Sequence, residues 1–154
     1  MWPRKVSPIF QWVTEWKGLG VYKRKKLNMT FLVTGGLGLI GHNIVARLQA
    51  YESVVVVDNK TTYGIIPQAE LDYLMAERQK KIGEDVPIYP INIVDADNVD
   101  FVMAKHTPKV VIHCASFPRQ KVVNANPTLG ADTMMTGLLN ILESAKKHHI
   151  KRVV

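Results

Sequence analysis

The sequence predicts a doubly wound parallel α/β sheet, on three observations. Short apolar runs alternate with helical periodicities, joined by short connections. The runs are apolar on both alternating faces, as strands covered by helices on both sides are. A glycine-rich turn, "TGGLGLIG" at 34–41, separates the first run from the first helix. Right-handed strand–helix–strand crossovers then favour a parallel sheet between two helix layers.

The elements follow in order from Met29. "TFLV" (30–33) is the first strand, and Ile40, Ile44 and Leu48 mark one face of the helix after the glycine turn. "SVVVVD" (53–58) is a second strand that ends on an acid. A polar loop with Gly64 and Pro67 leads to "AELDYLMAERQKKI", where Leu71, Leu74, Met75 and Ile82 share a helical face. Glu77 and Lys81 stand there at the favourable i, i+4 spacing. "VPIYPINIV" (86–94) reads as a third strand interrupted by two prolines, and Asp95 as the cap of a short helix carrying Val99, Val102 and Met103. "KVVIHCA" (109–115) is the fourth strand. Ala131, Met134, Met135, Leu138, Leu142 and Ala145 line a long helix that ends in a basic segment with His148 and His149. "KRVV" (151–154) opens a fifth strand, and the sheet is expected to be truncated there.

Residues 1–28 differ from the rest. They hold seven Lys/Arg against one acid, Glu15, and all three tryptophans, whereas residues 29–154 hold thirteen Lys/Arg against twelve acids. Of the net charge of +7, +6 therefore sits in an N-terminal extension, and it is no sign of a nucleic-acid partner for the folded part. Ile9, Trp12, Val13 and Trp16 form an apolar stripe behind a Ser7-Pro8 helix start. Two readings stand: an amphipathic turn for an anionic membrane surface, or a disordered or read-through arm outside a domain of 29–154. The second is expected. One cysteine, Cys114, allows no internal disulfide, and no apolar stretch is long enough for a membrane span. A cytoplasmic setting is expected.

The glycine turn carries the chemistry. Gly36-x-Gly38-x-x-Gly41, after a strand and before an amphipathic helix, is the Rossmann dinucleotide fingerprint. It combines a tight turn, close approach of backbone to a pyrophosphate, and helix-to-strand packing, with the helix N-terminus aimed at the phosphates. Asp58 follows at the end of the next strand, at the interval expected of the acid that holds the adenosine ribose. A carboxylate there accepts from ribose hydroxyls and repels a 2′-phosphate, so NAD is expected to bind better than NADP. Lys60 blurs that preference, and no arginine adjoins Asp58.

"TGGLGLIGHN", "VVVVDN", "INIVDAD", "VVIHCAS", "NP" and "GLLNILESAKKHHIKRVV" together resemble the NAD-dependent epimerase/dehydratase family of extended short-chain dehydrogenase/reductases, over 29–154. The resemblance implies the spacing Gly35, Gly38 and Gly41, with Leu39 and Ile40 along the pyrophosphate and Asp58 and Asn59 on the ribose. It places Asn92 and Ile93 at the adenine, where the family usually has Asp at the first position. Cys114, Ala115 and Ser116 match the segment beside the nicotinamide ribose. Thr133 stands where an Asn is common. His113 and Cys114 read as structural; Arg119 and Lys121 either approach the phosphates of a nucleotide sugar or belong to a solvated loop, and the loop is expected.

The family's chemistry also needs a Tyr-x-x-x-Lys pair and a Ser or Thr, which follow its fifth strand. The only literal match, Tyr22 with Lys26, precedes the glycine turn and is rejected. The resemblance therefore implies the NAD-binding portion of a nucleotide-sugar epimerase or dehydratase. The nucleotide sugar would be a ligand of a full-length form only, and the family's homodimer is not expected of the truncated chain. A non-catalytic NAD-binding regulatory or interaction module is the alternative.

Overall fold

The computed structural model describes residues 29–117 and 119–154. The Ile9–Trp16 stripe and the Tyr22/Lys26 pair lie outside them. Five parallel strands run in the order β3-β2-β1-β4-β5. They are β1 (Thr30–Thr34), β2 (Ser53–Val57), β3 (Ile88–Tyr89), β4 (Val110–His113) and β5 (Arg152–Val153). The helices are α1 (Gly41–Leu48), α2 (Gln68–Ile82), α3 (Ala96–His106), α4 (Gln120–Ala125), α5 (Pro127–Ala131) and α6 (Gly137–Lys147), with a π-turn over Asp132–Thr136 ahead of α6.

The strand side chains divide between two cores, which is what double covering requires. Val33, Val54 and Val56 pack with Leu37, Val45, Ile82 and Val86 under α1 and α2. Leu32, Val55, Val57 and Val111 pack with Val99, Val102, Met103, Ile141 and Ala145 under α3 and α6. Asp95 caps α3 as expected: its Oδ1 accepts the Asn98 N–H at 3.1 Å. No helix among the described residues is long and apolar enough to cross a membrane.

Four expectations need correction. The third strand is two residues long rather than nine. The carbonyls of Pro87 and Tyr89 accept from Val56 and Asp58, but the Ile91 N–H, next in the alternation, folds back to the Tyr89 carbonyl at 2.9 Å, and Ile91–Val94 turn away. On α1, Ile44 and Leu48 pack against the core as expected, beside the buried Gly41, His42 and Val45, but Ile40 is 68% exposed in the turn that precedes the helix. Lys81 does not pair with Glu77; its Nζ donates to Asn43 Oδ1 on α1 at 2.7 Å.

The long helix is divided, and of the stripe assigned to its inner face Ala145 is buried while the rest points outward. Met135 is 66% exposed, and Met134, Leu138 and Leu142 are also exposed. The inner stripe is Thr133, Gly137, Ile141, Ser144 and Ala145, one residue out of phase with the expectation. Closeness is the reason. A Cβ on Gly137 would come within 2.5 Å of Ile93 Cδ1, so the helix settles on this core only with a glycine at that contact.

Candidate dinucleotide site

The direction of the chain reverses between β1 and β4, which lie side by side and lead to opposite edges of the sheet. In such sheets a crevice opens there, at the carboxyl ends of the strands. A groove of about 430 Å³ occupies this place.

The glycine turn forms its floor. Gly35 has φ +64°, and a Cβ on it would sit 2.6 Å from the Ala115 nitrogen, so neither its conformation nor its neighbours admit a side chain. A Cβ on Gly41 would collide with the Gly35 carbonyl, and one on Gly36 with Val56. Gly38 differs: it lines the groove, and a Cβ there would meet only the Gly35 oxygen, at 3.0 Å. Three of these glycines therefore serve the packing of the turn, and Gly38 leaves open space toward the crevice.

Four side chains pin this turn from outside. Asp58 Oδ2 accepts the Leu37 N–H at 2.9 Å, and Arg78 Nη1 donates to the Leu37 carbonyl at 2.7 Å. His42 Nδ1 donates to the Gly38 carbonyl at 2.8 Å, and Asn43 Nδ2 to the Leu39 carbonyl at 2.9 Å. With three successive carbonyls tied outward, the N–H groups of Leu39, Ile40 and Gly41 take no acceptor among the described residues. Unpartnered N–H groups at the start of a helix suit an anion. A pyrophosphate fits the cradle in both space and polarity.

One end of the groove is built from Asp58, Asn59, Asn92 and Ile93, which all line it. Asp58 is nearly buried, and its Oδ1 also accepts the Lys60 N–H at 2.8 Å. Asn92 Oδ1 accepts the Val94 N–H at 3.2 Å, so the Asn that replaces the expected Asp is bonded into its own turn. Asn140 of α6 donates to the Ile93 and Val94 carbonyls at 3.0 and 2.9 Å and holds that turn in place.

On the other side Cys114, Ala115, Ser116 and Thr133 line the groove. Partial burial pushes the Cys114 thiol above its ordinary pKa, which keeps it protonated and a poor nucleophile. His113 does not line the groove. Its Nδ1 shares a 2.7 Å hydrogen bond with Thr34 Oγ1, and burial lowers its pKa, as suits a neutral structural histidine. Thr133 is buried, and its Oγ1 lies 3.5 Å from the Tyr63 hydroxyl.

Of the residues anticipated from sequence, Gly35, Gly38, Leu39, Asp58, Asn59, Asn92, Ile93, Cys114, Ala115, Ser116 and Thr133 are brought together around the groove. Gly36, Ile40 and Gly41 are in the turn but do not line it. Sequence reasoning missed Tyr63 and Arg78. Tyr63 adopts φ +55° and stacks on Phe117 with centroids 4.1 Å apart, spanning from the loop after β2 to the segment after β4. Its place beside Gly64 was the one available signal. Arg119, set aside as a loop residue, also lines the groove.

Comparison with known proteins agrees with this geometry. The family model for the NAD dependent epimerase/dehydratase family matches residues 31–154. Over 128 residues the chain is 31% identical to UDP-glucose 4-epimerase of Bacillus subtilis and covers 35% of that protein. It is 34% identical to a putative UDP-glucose 4-epimerase of Methanocaldococcus jannaschii, of which it covers 36%. Among solved structures, UDP-glucose 4-epimerase of Thermus thermophilus in complex with NAD superposes with a TM-score of 0.66 at 27% identity, over 81% of this chain and 36% of that one. The Thermotoga maritima enzyme with UDP-glucose gives 0.66 at 26%, with the same coverage. The chain thus spans about a third of the length of the relatives it matches. The chain belongs to the NAD-dependent epimerase/dehydratase family.

Proposed function

We propose that residues 29–154 are the NAD-binding portion of a nucleotide-sugar epimerase or dehydratase. The observation that carries this is the cradle over Gly35–Gly41, with unpartnered N–H groups at Leu39–Gly41 and the Asp58 carboxylate beside it. The turn would hold the pyrophosphate, Asp58 and Asn59 the adenosine ribose, and Asn92 and Ile93 the adenine. Cys114, Ala115, Ser116 and Thr133 would flank the nicotinamide ribose. Bound NAD supplies a hydride acceptor to such enzymes.

These residues bind and orient; among them none is placed to move a proton to or from a sugar. His113 is engaged with Thr34, and the Cys114 thiol is held protonated. No Tyr-x-x-x-Lys pair follows β4 in the 154 residues, so sugar chemistry would depend on residues beyond them. A positioned acid/base pair typically contributes about 10²- to 10⁴-fold to such a reaction.

Isothermal titration of the chain with NAD tests the reading. Saturable binding at one site, competed by ADP-ribose, is expected. Failure to bind NAD in a chain shown to be folded by circular dichroism would overturn it.

A further inference from the structure

We propose that Tyr63 is a latch across the groove, whose contact with Phe117 must open each time a dinucleotide enters or leaves. The inference rests on the dinucleotide reading above and adds to it a conformational step.

The sheet order decides where Tyr63 lies. β1 stands between β2 and β4, so a contact that joins the segments after β2 and β4 crosses the end of β1, where the glycine turn begins. Tyr63 makes that contact. It follows β2, and its ring stacks on Phe117, which follows β4, with centroids 4.1 Å apart and planes inclined by 32°. Its hydroxyl lies 3.5 Å from Thr133 Oγ1, in the π-turn before α6. Tyr63 and Thr133 line the groove together with Gly35 and Gly38 of its floor. A dinucleotide laid along that floor is enclosed by the same contact.

The two sides of the contact differ in freedom. Phe117 and Thr133 are buried in the body of the fold, at 6% and 3% exposure. Tyr63 is half-buried and belongs to a loop that is left-handed at Lys60, Tyr63 and Gly64, with φ of +54°, +55° and +77°. A bulky side chain rarely takes that conformation and keeps it only where surrounding contacts impose it. The Phe117 ring, the Thr133 hydroxyl and a 3.1 Å bond from the Tyr63 N–H to Thr61 Oγ1 impose it here. Loss of the ring contact frees the loop to relax, and a few loop residues that absorb a change in φ and ψ are what a lid requires.

Stopped-flow fluorescence of NADH binding tests this on the parent chain, Tyr63→Ala and Tyr63→Phe, with folding checked by circular dichroism. An aromatic pair of this kind shifts an equilibrium by about two- to tenfold. Tyr63→Ala is expected to speed association and dissociation alike, each by about that factor, so that the dissociation constant changes by less than about threefold. Tyr63→Phe keeps the ring and loses only a long contact to Thr133, so both rates should stay within about twofold of the parent. Amide exchange across residues 61–66 of the free chain should quicken in Tyr63→Ala and not in Tyr63→Phe. Faster dissociation with unchanged association would make Tyr63 a contact of the bound cofactor rather than a latch, and would overturn the proposal. So would unchanged rates in Tyr63→Ala. A folded parent that binds no NADH would refute the dinucleotide reading itself, and the latch with it.

Discussion

Asp58 reaches across from the end of β2 to accept the Leu37 N–H at 2.9 Å, so the acid proposed to hold the ribose is also a brace of the glycine turn. The two roles make different predictions. Asp58→Ala leaves the buried Leu37 N–H without an acceptor, which costs about 1–3 kcal/mol in stability. It should also weaken NAD binding. Asp58→Asn keeps a carbonyl oxygen for Leu37 and should recover most of the stability. Chemical denaturation of both variants beside NAD titration separates the roles: equal destabilisation by Ala and Asn would show that the Leu37 contact is not what holds the turn.

Gly38 and Gly41 should respond differently to the same added methyl. In Gly41→Ala the Cβ strikes the Gly35 carbonyl, a backbone atom that cannot move without the turn. Overpacking of that kind typically costs about 1–3 kcal/mol or more. In Gly38→Ala the new methyl meets only the Gly35 oxygen and extends into the groove. That variant should stay close to the parent in thermal unfolding and yet lose NAD affinity. A Gly38→Ala chain that binds NAD normally would mean that the pyrophosphate does not approach this position.

Asn140 connects α6 to the turn proposed to meet the adenine through its two bonds to the Ile93 and Val94 carbonyls. Asn140→Ala removes both at once. Val94 is partly exposed and can turn to water, so a stability loss of about 1 kcal/mol is expected rather than the sum of two buried bonds. The turn carrying Asn92 and Ile93 should loosen, and NAD affinity should fall several-fold. Hydrogen exchange at Val94 and Asp95, compared with the parent, measures the loosening directly; unchanged exchange would contradict the bracing role.

Acid should act on the contact between α3 and α6. Asp100 accepts from Lys147 at 2.7 Å, from His148 at 2.8 Å and from Ser144 at 3.1 Å. The Lys147 bond and then the His148 bond lower its pKa to about 2. A carboxylate depressed in the folded state stabilises the fold above its unfolded pKa and loses that contribution as pH falls through the folded value. The loss should therefore run from about pH 4 down to about pH 2, and the surface position keeps it modest. Asp100→Asn should flatten this limb of a stability-against-pH curve while lowering stability at neutral pH. A variant curve parallel to the parent's through that window would refute the assignment.

The sequence by itself determined the order of strands and helices, the glycine turn, the acid that follows it and the Asp95 cap. Each rests on neighbours along the chain: a period of two or of 3.6, a glycine spacing, or a side chain bonding its own backbone three residues on. It did not determine which of two adjacent stripes on α6 faces inward. Met134, Met135, Leu138 and Leu142 have the stronger apolar signal, yet Thr133, Gly137, Ile141, Ser144 and Ala145 are inside. How closely a helix approaches its core is a property of the partner surface, here Ile93, and no periodicity within the helix records it. The same holds for Arg78. No arginine stands next to Asp58 in the chain, but the packing of α2 against α1 brings one to Leu37 from 41 residues away. Only tertiary structure brings that cation to the glycine turn, because the contact depends on where two helices meet and not on what either one spells.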